Sequence, residues 1–109
     1  MPRLLTDYEL MIMLAILRLR NDGYGVTIAR ELEDTAGRPT TLGAVYLALD
    51  RLERHGLVAS ELGEATAQRG GRAKKYFRVT SKGLQAVRAT QRAFIALWTG
   101  IPQLQGGTR

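Results

Sequence analysis

Five basic residues, Arg69, Arg72, Lys74, Lys75 and Arg78, fall between Arg69 and Thr80 with Tyr76 and Phe77 among them and no acid. Side chains of this kind suit a polyanion: each ammonium or guanidinium can replace a counterion on a phosphate. The distribution of charge agrees. Residues 1–68 carry seven basic and ten acidic side chains, and residues 69–109 carry nine basic and none acidic, within a net charge of +6. Solubility charge or a basic membrane-surface segment would also supply cations. Neither explains their gathering beside Gly70-Gly71 in an aromatic strand.

Other chemistry is poorly equipped. His55 is the only histidine, Ser60 and Ser81 are the only serines, and there is no cysteine. Structural disulfides and thiolate metal sites are therefore excluded. No phosphate-cradling Gly-rich lysine motif and no ligand cluster with metal spacing occurs. His55 stands where a helix should end, a place where histidine commonly meets free carbonyls. Glu31, Glu33 and Asp34 cluster beside Arg30 on what should be an outer helix face, so solvation explains them better than paired acid-base work. No enzymatic activity, metal or cofactor is expected.

The elements that position the cations follow from local signals. Thr40 or Thr41 can cap a helix that Gly56 ends, with Leu42, Val45, Leu49 and Leu52 on the core face at about 100° per residue and Ala48 at its margin. Gly43, Leu47, Asp50, Arg51 and Arg54 fall on the opposite face. Gly43 and Ala44 are small enough to admit a large partner, Leu47 can meet a thymine methyl, and Arg51 can reach a guanine edge or a phosphate. Thr40, Thr41 and Tyr46 bring hydroxyls to the helix start, within reach of DNA backbone oxygens.

Before this helix, Thr6-Asp7-Tyr8-Glu9 has capping-box spacing and should start a helix running to about Arg20. Leu10, Met13, Leu14 and Leu17 form one stripe, and Ile12, Ile16 and Leu19 add a second flank, which suggests a subunit contact. A second helix opens at Tyr24-Gly25, turns Ile28, Ala29 and Leu32 inward and ends near Gly37. Arg38-Pro39 then takes an extended step that can lend a short strand to the following sheet.

After the central helix, Leu57 to Leu62 and Lys74 to Val79 read as two strands around a long loop, Gly63 to Ala73, whose tip should be mobile without DNA. Alternation places Lys74, Tyr76 and Arg78 on one side and Lys75, Phe77 and Val79 on the other, with Phe77 and Val79 closing the core. Tyr76 can contact phosphate or pack on a neighbouring helix. Arg69, Arg72, Lys74 and Lys75 are the candidate backbone contacts. Thr80 can cap a last helix in which Leu84, Val87, Phe94, Trp98 and Ile101 recur as a heptad-like seam. Beyond Trp98 the chain is broken by Gly and Pro and should fray.

Gly43-Ala44-Val45-Tyr46, Leu49, Leu52-Glu53, Gly56-Leu57-Val58 and Lys74-Lys75-Tyr76-Phe77-Arg78-Val79-Thr80-Ser81-Lys82-Gly83 resemble the PadR family of bacterial transcription regulators, from about residue 5 to residue 98. The start of the second helix at Tyr24-Gly25 is similar too. The resemblance implies a repressor that binds an inverted repeat as a homodimer, supports Tyr46 on the DNA backbone, and matches the short type with one C-terminal dimerisation helix. It also implies a small planar aromatic effector between subunits, at Phe94 and Trp98; a filled aromatic core suits the same pair. Leu47 and Ala48 depart from the family's frequent basic or proline residues, which leaves the operator open.

The expected architecture is mainly α with a small β-hairpin wing: a winged helix-turn-helix over residues 1–80, a dimerisation helix over 81–99 and a flexible tail over 100–109. At 109 residues the chain makes one domain. Leu10 to Leu17 is too short to span a bilayer and lacks a cleavage site, so the cytoplasm and no membrane partner are expected. Two other classes fit the pattern: a winged-helix module that docks an acidic protein surface, and a small-molecule-binding dimer without a transcriptional role. Selection of a palindrome from random double-stranded DNA separates both from a regulator.

Overall fold

The computed structural model describes residues 3–63 and 74–105. In chain order these form α1 (Asp7–Leu19), α2 (Gly25–Ala36), α3 (Leu42–Arg54), β1 (Val58–Leu62), β2 (Lys75–Val79) and α4 (Ser81–Trp98). A 3-10 turn, Arg20–Asp22, joins α1 to α2. Helices α2 and α3 make the helix-turn-helix, and the antiparallel β1–β2 hairpin is the wing.

Helix α1 starts on the expected box: Thr6 Oγ1 accepts from the Glu9 N–H at 3.2 Å, and Glu9 Oε1 accepts from the Thr6 N–H at 2.9 Å. The Arg3 guanidinium also donates to both Glu9 oxygens, each at 2.9 Å. The core side of α1 is Ile12, Met13, Ala15 and Ile16, whereas Leu14 and Leu17 are exposed. Of the stripe Leu10, Met13, Leu14 and Leu17, only Met13 is fully buried within the chain. An uninterrupted apolar run has no polar position to set the rotation of a helix, so the elements packed on it choose the buried flank.

The core of α3 is Val45, Ala48, Leu49 and Leu52, spaced i, i+3, i+4 and i+7. Leu42, expected inside, is exposed, and Ala48, expected at the margin, is buried. Gly56 has φ of 76°, the left-handed conformation that turns α3 into β1 at little cost for glycine.

The hairpin pairs Val58 with Val79 through to Leu62 with Lys75. Phe77 enters the core, and its N–H donates to the Gly23 carbonyl at 2.8 Å. The segment meeting the hairpin's other edge is thus the α1–α2 connection. Arg38-Pro39 forms no strand; Pro39 has no N–H to offer a ladder. That step packs on α1 instead, with Arg38 4.9 Å from the Tyr8 ring centroid and Thr40 Oγ1 2.6 Å from the Tyr8 hydroxyl.

Thr80 caps α4 by accepting from the Gly83 N–H at 3.0 Å. Gly83, Ala86, Val87 and Thr90 bury against the rest of the chain. Thr90 Oγ1 accepts from the Leu5 N–H at 2.9 Å and donates to the Ala86 carbonyl at 2.8 Å, which ties the N-terminal segment to α4. Lys82, a cation ill suited to a helix start, donates to the His55 carbonyl at 2.9 Å and so serves the C-terminus of α3. From Gln91 to Trp98 only Ala93 is even partly covered. A 3-10 turn, Pro102–Leu104, follows where fraying was expected. The free half of α4 helps to make the molecule long, 56 × 34 × 21 Å with a radius of gyration of 16.0 Å, against about 13 Å for a compact chain of this length.

Candidate nucleic-acid interface

Thr41, rather than Thr40, caps α3, accepting from the Ala44 N–H at 3.0 Å. The Thr40 hydroxyl is engaged with Tyr8. Beyond this cap Gly43, Leu47, Asp50, Arg51 and Arg54 are all exposed, as their helical phase requires. Leu47 is 68% exposed. Arg54 Nε lies 3.3 Å from Asp50 Oδ2, an exposed pair worth little in stability. Arg51 makes no ion pair among the described residues. A side chain at Gly43 would find only Thr41 Oγ1 nearby, so the helix start offers room for close approach. Ala44 is partly covered.

Tyr46 is half-exposed, and its hydroxyl end rests on Gly25, where any side chain would overlap the phenol. This contact gives the Tyr24-Gly25 start of α2 a physical reason: the phenol from α3 needs a bare backbone there.

The strands of the wing are held at two points. On α3, Glu53 Oε2 accepts from Ser60 Oγ at 2.6 Å, and Glu53 Oε1 lies 3.7 Å from Lys75 Nζ. At the start of α2, Tyr24 packs edge-on against Tyr76, with ring centroids 5.3 Å apart and planes at 70°. Lys74 Nζ donates to the Tyr24 hydroxyl at 2.8 Å and lies 3.9 Å from that ring's centroid. Lys74 and Lys75, both assigned to phosphates by sequence, therefore point to opposite sides of the hairpin. Tyr76 packs on the residue before a helix, one of its two expected roles. Arg69 and Arg72, with most of the expected mobile loop, lie outside the described residues.

The expected C-terminal seam divides. Val87 is buried within its own chain and Leu84 is partly covered, while Phe94 and Trp98 are 50% and 61% exposed. Phe94, Leu97, Trp98, Ile101 and Leu104 line an apolar hollow of about 190 Å³.

His55 is the C-cap of α3. Hydrogen bonds from Thr35 and from Arg18, the latter at 2.7 Å, hold the Glu31 carboxyl below its usual pKa. Among the described residues no group of three candidate ligands could hold a metal, and no helix is long and apolar enough to cross a membrane. Sequence reasoning missed Tyr24 and Glu53 as wing anchors. Their spacing to the wing carries no periodic signal, and only the Tyr-Gly and Leu-Glu pairs marked them.

A family model described as the transcriptional regulator PadR-like family matches residues 13–89, a span that stops short of Phe94 and Trp98. The crystal structure of a PadR family transcriptional regulator from Eggerthella lenta is 30% identical, covering 88% of this chain and 81% of that one, with a TM-score of 0.69. A PadR family regulator from hypervirulent Clostridium difficile is 24% identical over 92% of this chain and 100% of its own, with a TM-score of 0.71. A PadR-like regulator from Bacillus cereus is 24% identical over 91% and 92%, also with a TM-score of 0.71. At that identity the last two bear on fold alone. No curated protein matches the chain.

Proposed function

Because the chain belongs to the PadR-like family of transcriptional regulators, which are not enzymes, we propose that it reads an inverted repeat in double-stranded DNA as a homodimer and acts as a cytoplasmic repressor. The outer face of α3 carries this reading: a capped helix presents Gly43, Leu47 and Arg51 to solvent while its opposite face is sealed in the core. In the major groove, Leu47 and Arg51 read base edges, and Thr41 and Tyr46 contact the backbone. The hairpin lies over the flanking phosphates, with Lys74, at the loop end of β2, among its contacts, and Arg69 and Arg72 supply further cations.

Dimerisation joins the exposed end of α4, around Phe94 and Trp98, to the apolar flank of α1 at Leu14 and Leu17 of the partner. Residues 81–99 thus extend the domain of residues 1–80 rather than forming a second one. A planar aromatic effector would sit against Phe94 and Trp98 and act by shifting the two reading helices apart. Selection from a random pool of double-stranded DNA tests the central reading. Enrichment of an inverted repeat with half-sites about one turn apart, near 34 to 36 Å, is expected. Recovery of no sequence above the starting pool would refute it.

A further inference from the structure

We propose that Tyr24 is a positioning residue for DNA binding: by holding Lys74 and Tyr76 it sets where the basic hairpin meets the DNA backbone. The inference rests on the DNA-binding reading above and assigns a residue that the reading itself does not use.

Strand alternation puts Lys74 and Tyr76 on one side of the hairpin, and Tyr24 meets both. The Lys74 ammonium is bound twice by one residue, through a hydrogen bond to the hydroxyl at 2.8 Å and above the ring at 3.9 Å from its centroid. The ring then meets Tyr76 edge-on at 5.3 Å. Immediately before Tyr24, the Gly23 carbonyl accepts from the Phe77 N–H at 2.8 Å. Two consecutive residues therefore grip β2 by its backbone and by its side chains. Tyr76 also borders a hollow of about 330 Å³ that opens to Arg20, Asp22 and Arg78, and an edge of its ring lies against Gly63.

Lysine has three N–H donors, and Tyr24 takes one. The clasp thus orients the ammonium and leaves two donors for phosphate oxygens. It also fixes the first residue leading into β2. Glu53 anchors the same hairpin to α3 from the other side. The wing is thereby referenced to both helices of the helix-turn-helix, a condition for cationic groups to meet phosphates in a fixed register with the reading helix.

The test uses the full chain with Tyr24→Phe, Tyr24→Leu, Lys74→Met and the Tyr24→Phe/Lys74→Met double variant. Binding is measured over a salt series to the selected duplex and to a random-sequence duplex of equal length, beside urea unfolding of each variant. Tyr24→Phe should unfold like the wild type yet bind both duplexes about three- to tenfold more weakly, the effect of one net hydrogen bond. Its log-log salt slope should flatten by about one, as for a lost phosphate contact. Tyr24→Leu should lose more, and Tyr24→Phe should add nothing in the Lys74→Met background. Wild-type affinity and slope in both Tyr24 variants would overturn the proposal while leaving the DNA reading intact. Additive losses with Lys74→Met, or losses that only track stability, would overturn it as well. If the wild type binds neither duplex, the DNA reading fails and the proposal falls with it.

Discussion

Glu9 should make the stability of this protein depend on acid. Its side chain is 4% exposed, and its oxygens accept from both Arg3 guanidinium nitrogens and from the Thr6 N–H, each at 2.9 Å. The Arg3 hydrogen bonds, opposed by burial and aided by Thr6, lower its pKa from 4.5 to about 2. At about 1.4 kcal/mol per tenfold in ionisation, that displacement stabilises the fold by about 3 kcal/mol. Because the folded pKa is the lower one, the stabilisation is complete above about pH 5. It should disappear as pH falls from about 4.5 to 2. Glu9→Gln mimics the protonated acid and should cost about 3 kcal/mol at pH 7, the difference from wild type shrinking by about 1.4 kcal/mol per pH unit in that window. Urea unfolding at fixed protomer concentration, which keeps association from shifting the result, measures it. A difference that is the same at pH 3 and pH 7 would refute the ion-pair account.

Other perturbations address the remaining links. A methyl at Gly83 would overlap the Leu57 carbonyl oxygen and crowd Met13; Gly83→Ala should therefore cost about 3 kcal/mol, read as a fall in urea midpoint, and an unchanged midpoint would contradict the packing of α4 on the α3–β1 turn. Arg51→Ala and Leu47→Ala should change base preference by about 1 to 3 kcal/mol at one position of each half-site, which repeated selection would detect. Phe94→Ala should act mainly on association, costing about 3 to 5 kcal/mol if the ring is fully buried between subunits. A wild-type protein that sediments as a folded monomer at micromolar concentration would remove the basis for that expectation. Planar aromatic compounds that bind the proposed effector site should quench Trp98 and weaken operator binding together.

The sequence by itself determined what depends on a few neighbouring residues. Thr6, Thr41 and Thr80 cap helices because a hydroxyl reaches an N–H three residues on, wherever the helix goes. The exposed face of α3 and the alternation along β2 follow from fixed backbone periods, so Leu47 and Arg51 outside and Phe77 inside were legible. Only the tertiary structure decided which flank of α1 is buried, that Gly23 rather than Arg38-Pro39 meets β2, and that Lys74 and Lys75 turn to Tyr24 and Glu53. It likewise gave Lys82 to the end of α3 and left Leu42 outside. Each of these depends on which element lies opposite a side chain, and spacing along one segment does not encode the position of another. A periodic pattern names a face; the shared burial of several faces selects the partner that covers it.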